Sequence, residues 1–302
     1  MTEAARDAVV GHISGGTSNG QPVVDQLVAV LDLERIEENI FRGVSPSESP
    51  VRVFGGQVAA QALVAAGRTV PPERGVHSLH AYFIRPGDPR VPIVYEVDRI
   101  RDGRSFTTRR AVAIQHGEAI FALSASFQLA EQGLVHADEM PLVAPPEQLD
   151  DLETWVRRAG DTQTLIGRFP LPFDLRYVTP PVWARSAEPV RTEQRNQLWM
   201  RADGVLPDDP LVHVCVLAYA SDLTLLGAVT ACHGQPLESV WAASLDHAMW
   251  FHRPLRADEW VLYDCTSPSA SGGRGLAIGR FFSRDGRLIA TVVQEGLVRI
   301  RN

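Results

Sequence analysis

A weak internal repeat is the feature that most constrains the fold of this chain. A shift of 168 positions superimposes three sets of residues: Tyr82-Phe83 on Trp250-Phe251, Arg85-Pro86 on Arg253-Pro254, and Tyr95 on Tyr263. After these residues, each half continues as three strand-like segments separated by two turns that contain glycine. The common shift therefore predicts two copies of one unit, each with an antiparallel meander.

An uncharged segment precedes the strands in each half. The first spans residues 53–67 (VFGGQVAAQALVAAG), and the second spans residues 211–226 (LVHVCVLAYASDLTLL), in which Asp222 is the one carboxylate. Segments of this length are too short to cross a bilayer, so each is predicted to be a buried helix. A long helix held in the curve of an antiparallel sheet is the hotdog arrangement. The sequence thus predicts an α+β double hotdog, with an unspecified two-domain α+β protein as the alternative.

Four segments follow from this organisation. Residues 1–25 are rich in Gly, Ser and Asn near residues 11–22 and are expected to form a flexible tail. Residues 26–137 form the first hotdog unit and residues 190–302 the second, which carries Asp222. Residues 138–189 contain eight prolines, which oppose a continuous helix or central strand, and are expected to connect the units.

Composition narrows the possible partners and the compartment. The chain has 36 acidic and 29 basic side chains and a formal charge of -7, so nucleic acid is not an expected partner. Its 3 cysteines form neither a CxxC pair nor an even set, which favours a reducing compartment. The amino terminus lacks the apolar region of a signal peptide, and no membrane span is predicted. A cytoplasmic enzyme or binding protein is expected.

Asp222 is the most informative polar residue because burying a carboxylate is costly unless it is paired or hydrogen-bonded. One interpretation is a helix N-cap, since Ser221-Asp222 precedes Leu-Thr-Leu-Leu; the other is a catalytic acid or base. The two interpretations are compatible. The 168 shift sets Phe54 opposite Asp222, so the halves have diverged at this position.

Three further residues complete a candidate site. Ser244 and Gln294 lie in apolar strand contexts, and together with Asp222 they supply a base and two groups that can orient a water molecule. Gly55-Gly56 lies near the start of the first uncharged segment, where exposed N–H groups of a helix start can receive an oxyanion; tight helix packing is the alternative interpretation. Gly56 is therefore the predicted oxyanion donor.

Motifs for other chemistries are missing from the sequence. No Gly-x-Ser-x-Gly, His-Glu-x-x-His or P-loop pattern occurs, and residues 272–277 (GGRGLA) read as a turn in the meander. No metal and no cofactor are predicted. The aromatic and histidine residues of the second half are expected to serve packing and hydrogen bonding: His247, Trp250, Phe251 and His252.

The chain resembles the acyl-CoA thioesterase II family, in its bacterial and peroxisomal branches, over about residues 27–299. The matching stretches are 53–63 (VFGGQVAAQAL), 80–87 (HAYFIRPG), 104–109 (RSFTTR), 221–223 (SDL), 244–254 (SLDHAMWFHRP) and 293–299 (VQEGLVR). This resemblance implies a double hotdog that hydrolyses acyl-CoA with a water molecule and without a covalent intermediate, and it implies a homo-oligomer. By position, Asp222, Ser244 and Gln294 correspond to the family's aspartate, hydroxyl residue and glutamine; many bacterial members have Thr at the position of Ser244.

Two alternatives to a thioesterase remain at this point. A hotdog acyl-CoA hydratase or dehydratase needs an Asp and a His close together, whereas the nearest downstream histidine, His233, is eleven residues from Asp222. A non-catalytic acyl-CoA-binding protein would keep the polar residues for structure alone. Three arginines are equally eligible to bind the phosphates of CoA: Arg52, Arg253 and Arg274.

Overall fold

The computed structural model describes residues 20–46, 52–159, 171–184, 195–233 and 240–301. Its α-helices in these ranges are α1 (Gln21–Leu31), α2 (Gly55–Gly67), α3 (Leu152–Ala159), α4 (Pro210–Ser221) and α5 (Gly227–Ala231). Its first six strands are β1 (Glu34–Glu37), β2 (Ile40–Gly43), β3 (Arg74–Phe83), β4 (Ile93–Asp102), β5 (Phe106–Gln115) and β6 (Glu118–Leu129). The remaining strands are β7 (Phe173–Tyr177), β8 (Asn196–Ala202), β9 (Val240–Ser244), β10 (Asp246–Phe251), β11 (Val261–Ser271), β12 (Arg274–Ser283) and β13 (Leu288–Ile300).

The strands form one antiparallel sheet in the order β1-β2-β4-β5-β6-β3-β10-β13-β12-β11-β8-β7, and β9 pairs with β13 beyond the end of β10. Strands β3 and β10 join the two halves, and His80 of β3 pairs with Ala248 of β10. Each half contributes a meander, β4-β5-β6 in the first and β11-β12-β13 in the second. The predicted duplication of an antiparallel meander is confirmed.

The spacing of the repeat is preserved strand by strand. A shift of 168 carries β5 (Phe106–Gln115) onto β12 (Arg274–Ser283) over its full length. The pairing register of β3 shifts between Val76 and Ser78. At the shift of 168 these residues correspond to Ser244 and Asp246, where β9 ends and β10 begins. Strand β13 follows a turn that is one residue longer, so β6 and β13 are related by 169 positions.

The uncharged segments are buried helices, as predicted. In α2, residues 56–66 are all buried, and the helix contacts strands β2 to β6 of its own half. Helix α4 packs antiparallel against α2, because the start of α2 lies beside Asp222 and Gly67 at its end lies beside Leu211. Helix α5 contacts strands β8, β11 and β12 of the second half. The fold is therefore an α+β double hotdog.

The second uncharged segment is interrupted, which differs from the single helix predicted for residues 211–226. Helix α4 ends at Ser221, a turn follows, and α5 begins at Gly227. Side chains from two strands hold this turn: Tyr263 donates to the Ser221 carbonyl at 2.9 Å, and Asn196 Nδ2 donates to the Thr224 carbonyl at 3.0 Å. These carbonyls are engaged by the sheet, so the α-helical ladder does not continue past Ser221.

The predicted tail ends earlier than expected. Residues 1–19 lie outside the described residues, but helix α1 begins at Gln21 rather than after residue 25. The reason is contact with the second half: Gln21 exchanges two hydrogen bonds with the backbone of Val205, at 2.7 and 3.0 Å, and Val24 is fully buried. Burial of the apolar side chains of α1 therefore offsets the conformational entropy that is lost when this segment becomes ordered.

The proline-rich segment contains helix α3, the edge strand β7, which pairs with β8, and two three-residue 3-10 helices, Pro146–Gln148 and Val182–Ala184. The described prolines of this segment stand outside α3 and β7, consistent with their missing N–H groups. Residues 160–170 and 185–194 of the predicted connection lie outside the described residues. Among the ranges that the structure describes, no helix combines the length and apolar character that crossing a bilayer requires.

Candidate active site

Asp222 lies directly after the last residue of helix α4, where it is the C-cap. The N-cap interpretation of this residue is wrong. The apolar residues that signal the buried helix precede Asp222, and the helix begins at Pro210 with Asp209 as its N-cap, whose carboxylate accepts from the Leu211 N–H at 2.9 Å. Asp222 is half-buried at the end of a helix that is buried along most of its length.

Ser244 and Gln294 both reach the same oxygen of Asp222. The Ser244 hydroxyl donates to Asp222 Oδ1 at 3.1 Å, and Gln294 Nε2 donates to Oδ1 at 2.7 Å. The sheet explains this convergence, because Ser244 pairs with Gly296 and Gln294 lies two residues earlier on β13, on the same face. The structure thus brings together the three polar residues that the sequence singled out.

The start of helix α2 faces the same carboxylate. A methyl group added at Gly55 would lie 2.6 Å from Asp222 Oδ2 and 2.8 Å from the Phe83 ring, so only glycine permits this approach. The backbone amide of Gly56 also interacts with Asp222 and favours its charged form. An anion at a helix N-terminus is stabilised by the unpaired N–H groups there, and Gly56 is thereby part of the cluster around Asp222.

Burial raises the pKa of Asp222 to about 6, although the hydrogen bonds from Gln294 and Ser244 and the amide of Gly56 act in the opposite direction. Apolar rings explain the desolvation, because Tyr219 and Phe83 lie around the start of α2. A carboxyl group with a pKa of about 6 is largely ionised at neutral pH, yet it is basic enough to accept a proton from water. The arrangement can therefore perform general-base chemistry.

Gln294 has a further acceptor that the described residues do not use. Its side chain is fully buried, its Nε2 is bound to Asp222, and its Oε1 has no hydrogen-bond partner in the described part of the chain. A buried amide oxygen without a partner is costly, and a water molecule or a substrate group can satisfy it. Oε1 is held near Asp222 because it shares a planar carboxamide group with Nε2, which donates to the carboxylate.

Two family models cover the two halves of the chain. The model described as acyl-CoA thioesterase N-terminal domain matches residues 45–128, and the model described as acyl-CoA thioesterase matches residues 174–297. Human acyl-coenzyme A thioesterase 8 is 42% identical over 91% of this chain and 89% of the relative. Acyl-CoA thioesterase 2 of Haemophilus influenzae is 40% identical over 92% of this chain and 98% of the relative. The chain belongs to the acyl-CoA thioesterase family.

A solved structure agrees with this assignment. The acyl-CoA thioesterase II TesB2 of Mycobacterium marinum superimposes with a TM-score of 0.77 at 46% identity, covering 91% of this chain and 99% of the other. A hotdog-fold protein from Alicyclobacillus acidocaldarius superimposes with a TM-score of 0.74 at 22% identity, which supports the fold alone. The chain is thus an enzyme of the thioesterase family with a double-hotdog fold.

His247 contacts Ser221, the residue before Asp222, and the sequence did not reveal this contact. Its Nε2 lies 2.8 Å from the Ser221 hydroxyl, next to Asp222, and burial lowers the pKa of His247 to about 4. The ring is therefore neutral at physiological pH. Since the Ser221 hydroxyl donates to the Ala218 carbonyl at 2.8 Å, it accepts from His247. The only sequence signal for this contact was a histidine in an apolar strand.

The other conspicuous residues of the second half have structural partners. Trp250 packs edge-on against His80, and His252 is 2.9 Å from the Thr291 hydroxyl. Of the arginines considered for CoA, Arg253 donates to the Leu288 carbonyl at 2.5 Å, and Arg274 pairs with Glu295, which neighbours Gln294. Arg52 is exposed.

The repeat-related positions in the first half carry apolar side chains. Val76 corresponds to Ser244 at the shift of 168, and Ala125 corresponds to Gln294 at the shift of 169 that applies to the last strand. Neither side chain can hydrogen-bond a carboxylate or a water molecule. Among the described residues, the cluster of Asp222, Ser244 and Gln294 therefore has no polar counterpart at these positions of the first half, although the start of helix α2 in that half lies beside Asp222.

Proposed function

We propose that this chain hydrolyses acyl-CoA thioesters to a free fatty acid and CoA, with Asp222 as the general base. The observation that carries the proposal is the convergence of Ser244 and Gln294 on one oxygen of a half-buried carboxylate whose pKa is raised to about 6. Family membership supplies the substrate class, since the relatives are named for acyl-CoA. A place in fatty acid metabolism and the homo-oligomer stay predictions.

In the proposed reaction, a water molecule donates one hydrogen bond to Asp222 and the other to the unpaired Oε1 of Gln294, while the Ser244 hydroxyl holds the Asp222 carboxylate in place. Asp222 accepts one proton while the water oxygen forms a bond to the thioester carbonyl carbon. The tetrahedral intermediate then collapses, the carbon–sulfur bond breaks, and the proton passes from Asp222 to the departing thiolate. Water and acyl-CoA thus give a carboxylic acid and CoA thiol, with no bond formed to the protein.

Gly56 is proposed to stabilise the oxyanion of this intermediate. In the resting site its amide interacts with the negative Asp222 carboxylate. When Asp222 takes up the proton, the negative charge moves to the former carbonyl oxygen of the substrate. A donor at the helix start can then favour the new anion, because it is held rigidly beside the place where charge develops.

Replacement of Asp222 by Asn tests the assignment. The variant keeps the shape and an acceptor for Gln294 but has no basic oxygen, so turnover is expected to fall by about 10²–10⁴-fold. Release of CoA thiol, measured with a thiol reagent, reports turnover. Asp209→Asn, at the other end of the same helix, is the matched control, because Asn caps a helix as well as Asp.

Undiminished thiol release by a folded Asp222→Asn protein would exclude Asp222 as the base. The same assay separates the alternatives: a binding protein releases no thiol, and a hydratase consumes unsaturated acyl-CoA without releasing thiol. A hydratase would also need a histidine that works with Asp222, whereas the nearby His247 is bonded to Ser221.

A further inference from the structure

A cavity of about 420 Å³ opens at the carboxyl end of helix α2. Its charged lining consists of Arg35, Arg68, Arg74, Arg99, Arg109 and Asp102, and it is called the arginine cavity below. The volume falls within the range of small-molecule sites. Five guanidinium groups against one carboxylate are notable in a chain whose formal charge is -7, because the overall composition does not account for them.

Carboxylates neutralise three of the five guanidinium groups. Asp32 pairs with Arg68, Glu38 with Arg99, and Asp102 with Arg109. In the described ranges, Arg35 and Arg74 have no ion pair. Two positive charges around the arginine cavity are therefore uncompensated.

Neutral hydrogen-bond acceptors hold the guanidinium group of Arg74 in place. It donates to three neutral oxygens, the carbonyls of Gly103 and Arg104 and the hydroxyl of Thr107, at 2.7 to 3.1 Å. Its Nε is buried and has no partner among the residues described. These bonds fix the guanidinium in place but leave its charge for an anion to compensate.

Arg109 adds a guanidinium group that is buried as a whole. Its side chain is 1% exposed, whereas its partner Asp102 is 56% exposed. The guanidinium also donates to the hydroxyl and the carbonyl of Thr69, at 2.9 and 3.1 Å, so its orientation is fixed from inside the protein. A buried cation paired with a well-hydrated carboxylate is only partly neutralised, and an anion in the adjoining cavity would complete the compensation.

The arginine cavity is separate from the Asp222 site. It lies at the opposite end of α2, and a helix of 13 residues is about 20 Å long at 1.5 Å per residue. The repeat relates a residue of the arginine cavity to a neighbour of the Asp222 site. At the shift of 168, Arg109 corresponds to Ala277, and Ala277 pairs with Gln294. Where the second half has a small residue beside the polar cluster, the first half has a fixed guanidinium.

A second cavity provides an internal comparison. It also measures about 420 Å³, and its charged lining is Arg201, Arg256, Asp203, Asp258 and Glu259. Carboxylates outnumber arginines there, so a cavity of the same volume elsewhere on this chain has the opposite charge balance. The surplus of guanidinium groups in the arginine cavity is thus absent from this second cavity.

We propose that the arginine cavity binds the phosphate group of a phosphorylated small molecule. Guanidinium groups form paired, charge-assisted hydrogen bonds with phosphate oxygens, and fixed arginines lose little freedom when they do so. The phosphate can belong to the nucleotide part of a CoA molecule or to a free phosphate. Both sources offer anionic phosphate oxygens that accept hydrogen bonds from the guanidinium groups of the cavity.

Isothermal titration at constant ionic strength tests the proposal with three probes: adenosine 3′,5′-bisphosphate, inorganic phosphate and adenosine. The double variant Arg35→Gln/Arg99→Gln removes two exposed charges of the cavity, and Arg201→Gln in the comparison cavity is the matched control. The bisphosphate is expected to bind the wild type at least ~10-fold more tightly than the double variant. Arg201→Gln and Asp222→Asn are expected to bind as the wild type does.

Each outcome decides something. Inorganic phosphate that displaces the bisphosphate at comparable concentration identifies a free phosphate site, and binding of the bisphosphate alone identifies a nucleotide site; both support the proposal. Equal affinity of the double variant, equal binding of adenosine, or no binding of either phosphate probe overturns it. Loss of binding in Asp222→Asn also overturns it, because the ligand would then occupy the Asp222 site. Unfolding temperatures without ligand verify that the variants are folded.

Discussion

His80 on β3 pairs directly with Ala248 on β10, and these two residues are separated by the repeat shift of 168. A residue that pairs with its own repeat partner lies on the local two-fold axis that relates the halves. The double hotdog is therefore arranged like a symmetric dimer fused into one chain. Symmetry offers two sites, but only one carries Asp222, Ser244 and Gln294. The helix start at Gly55-Gly56 completes that site from the other half.

The first prediction concerns pH. Because burial raises the pKa of Asp222 to about 6, the carboxylate is protonated below that pH and cannot accept a proton from water. We expect kcat/KM to fall about tenfold per pH unit below pH 6 and to reach a plateau above pH 7. His247 cannot produce this inflection, since its pKa is about 4. Steady-state rates between pH 4.5 and 8 measure the profile, and a flat profile across pH 5–7 would contradict the proposed base.

Much of the fold was predictable because its signals are repeated. An uncharged segment and two glycine-containing turns occur in each half, and a common shift of 168 relates residues of the two halves. A weak signal for an element in one half is therefore supported by the same signal in the other. The break between α4 and α5 was not predictable, because it depends on hydrogen bonds from Asn196 and Tyr263, which are distant in sequence. Local apolar character continues through that turn, and only the sheet interrupts the helix.

The polar cluster was predictable for a different reason. A carboxylate in an apolar segment and a carboxamide in an apolar strand both violate the usual burial pattern, and such residues must find each other or water. The sequence did not reveal which end of a helix Asp222 occupies, because Ser-Asp before an apolar run resembles an N-cap. The roles of Ser221 and His247 were also hidden, since their contact joins a helix end to a strand 26 residues away.

The second prediction concerns the close approach of α2 to Asp222. Gly55→Ala adds a methyl group 2.6 Å from Asp222 Oδ2 and 2.8 Å from the Phe83 ring, so the carboxylate must move. A displacement of about 1 Å at a reacting group costs on the order of 10²-fold in rate, and we expect a loss of that size in kcat. Gly75→Ala is the matched control, because nothing lies within 4 Å of the added methyl group.

Helix propensity makes the Gly55 experiment more discriminating. Alanine is a better helix former than glycine, so the Gly55→Ala protein need not lose thermal stability in proportion to its activity. Thiol-release kinetics and unfolding temperature are measured on the same preparation. Wild-type kcat in the Gly55→Ala protein would show that Asp222 tolerates displacement, which a positioned general base does not.

The last prediction separates the hydroxyl of Ser244 from the space that it fills. Ser244 donates to Asp222 Oδ1 at 3.1 Å and thereby fixes the orientation of the carboxylate. Ser244→Ala is expected to lower kcat/KM by about 10- to 100-fold, because a misplaced base costs up to about 10²-fold in rate. Ser244→Thr keeps the hydroxyl, and its added methyl group suits a strand, so it is expected to retain most of the activity. Because the Ser244 hydrogen bond lowers the pKa of Asp222, its loss should also move the inflection of the pH profile above that of the wild type. An unchanged inflection in Ser244→Ala, or equal losses in the Ala and Thr variants, would show that Ser244 acts through packing rather than through its hydroxyl.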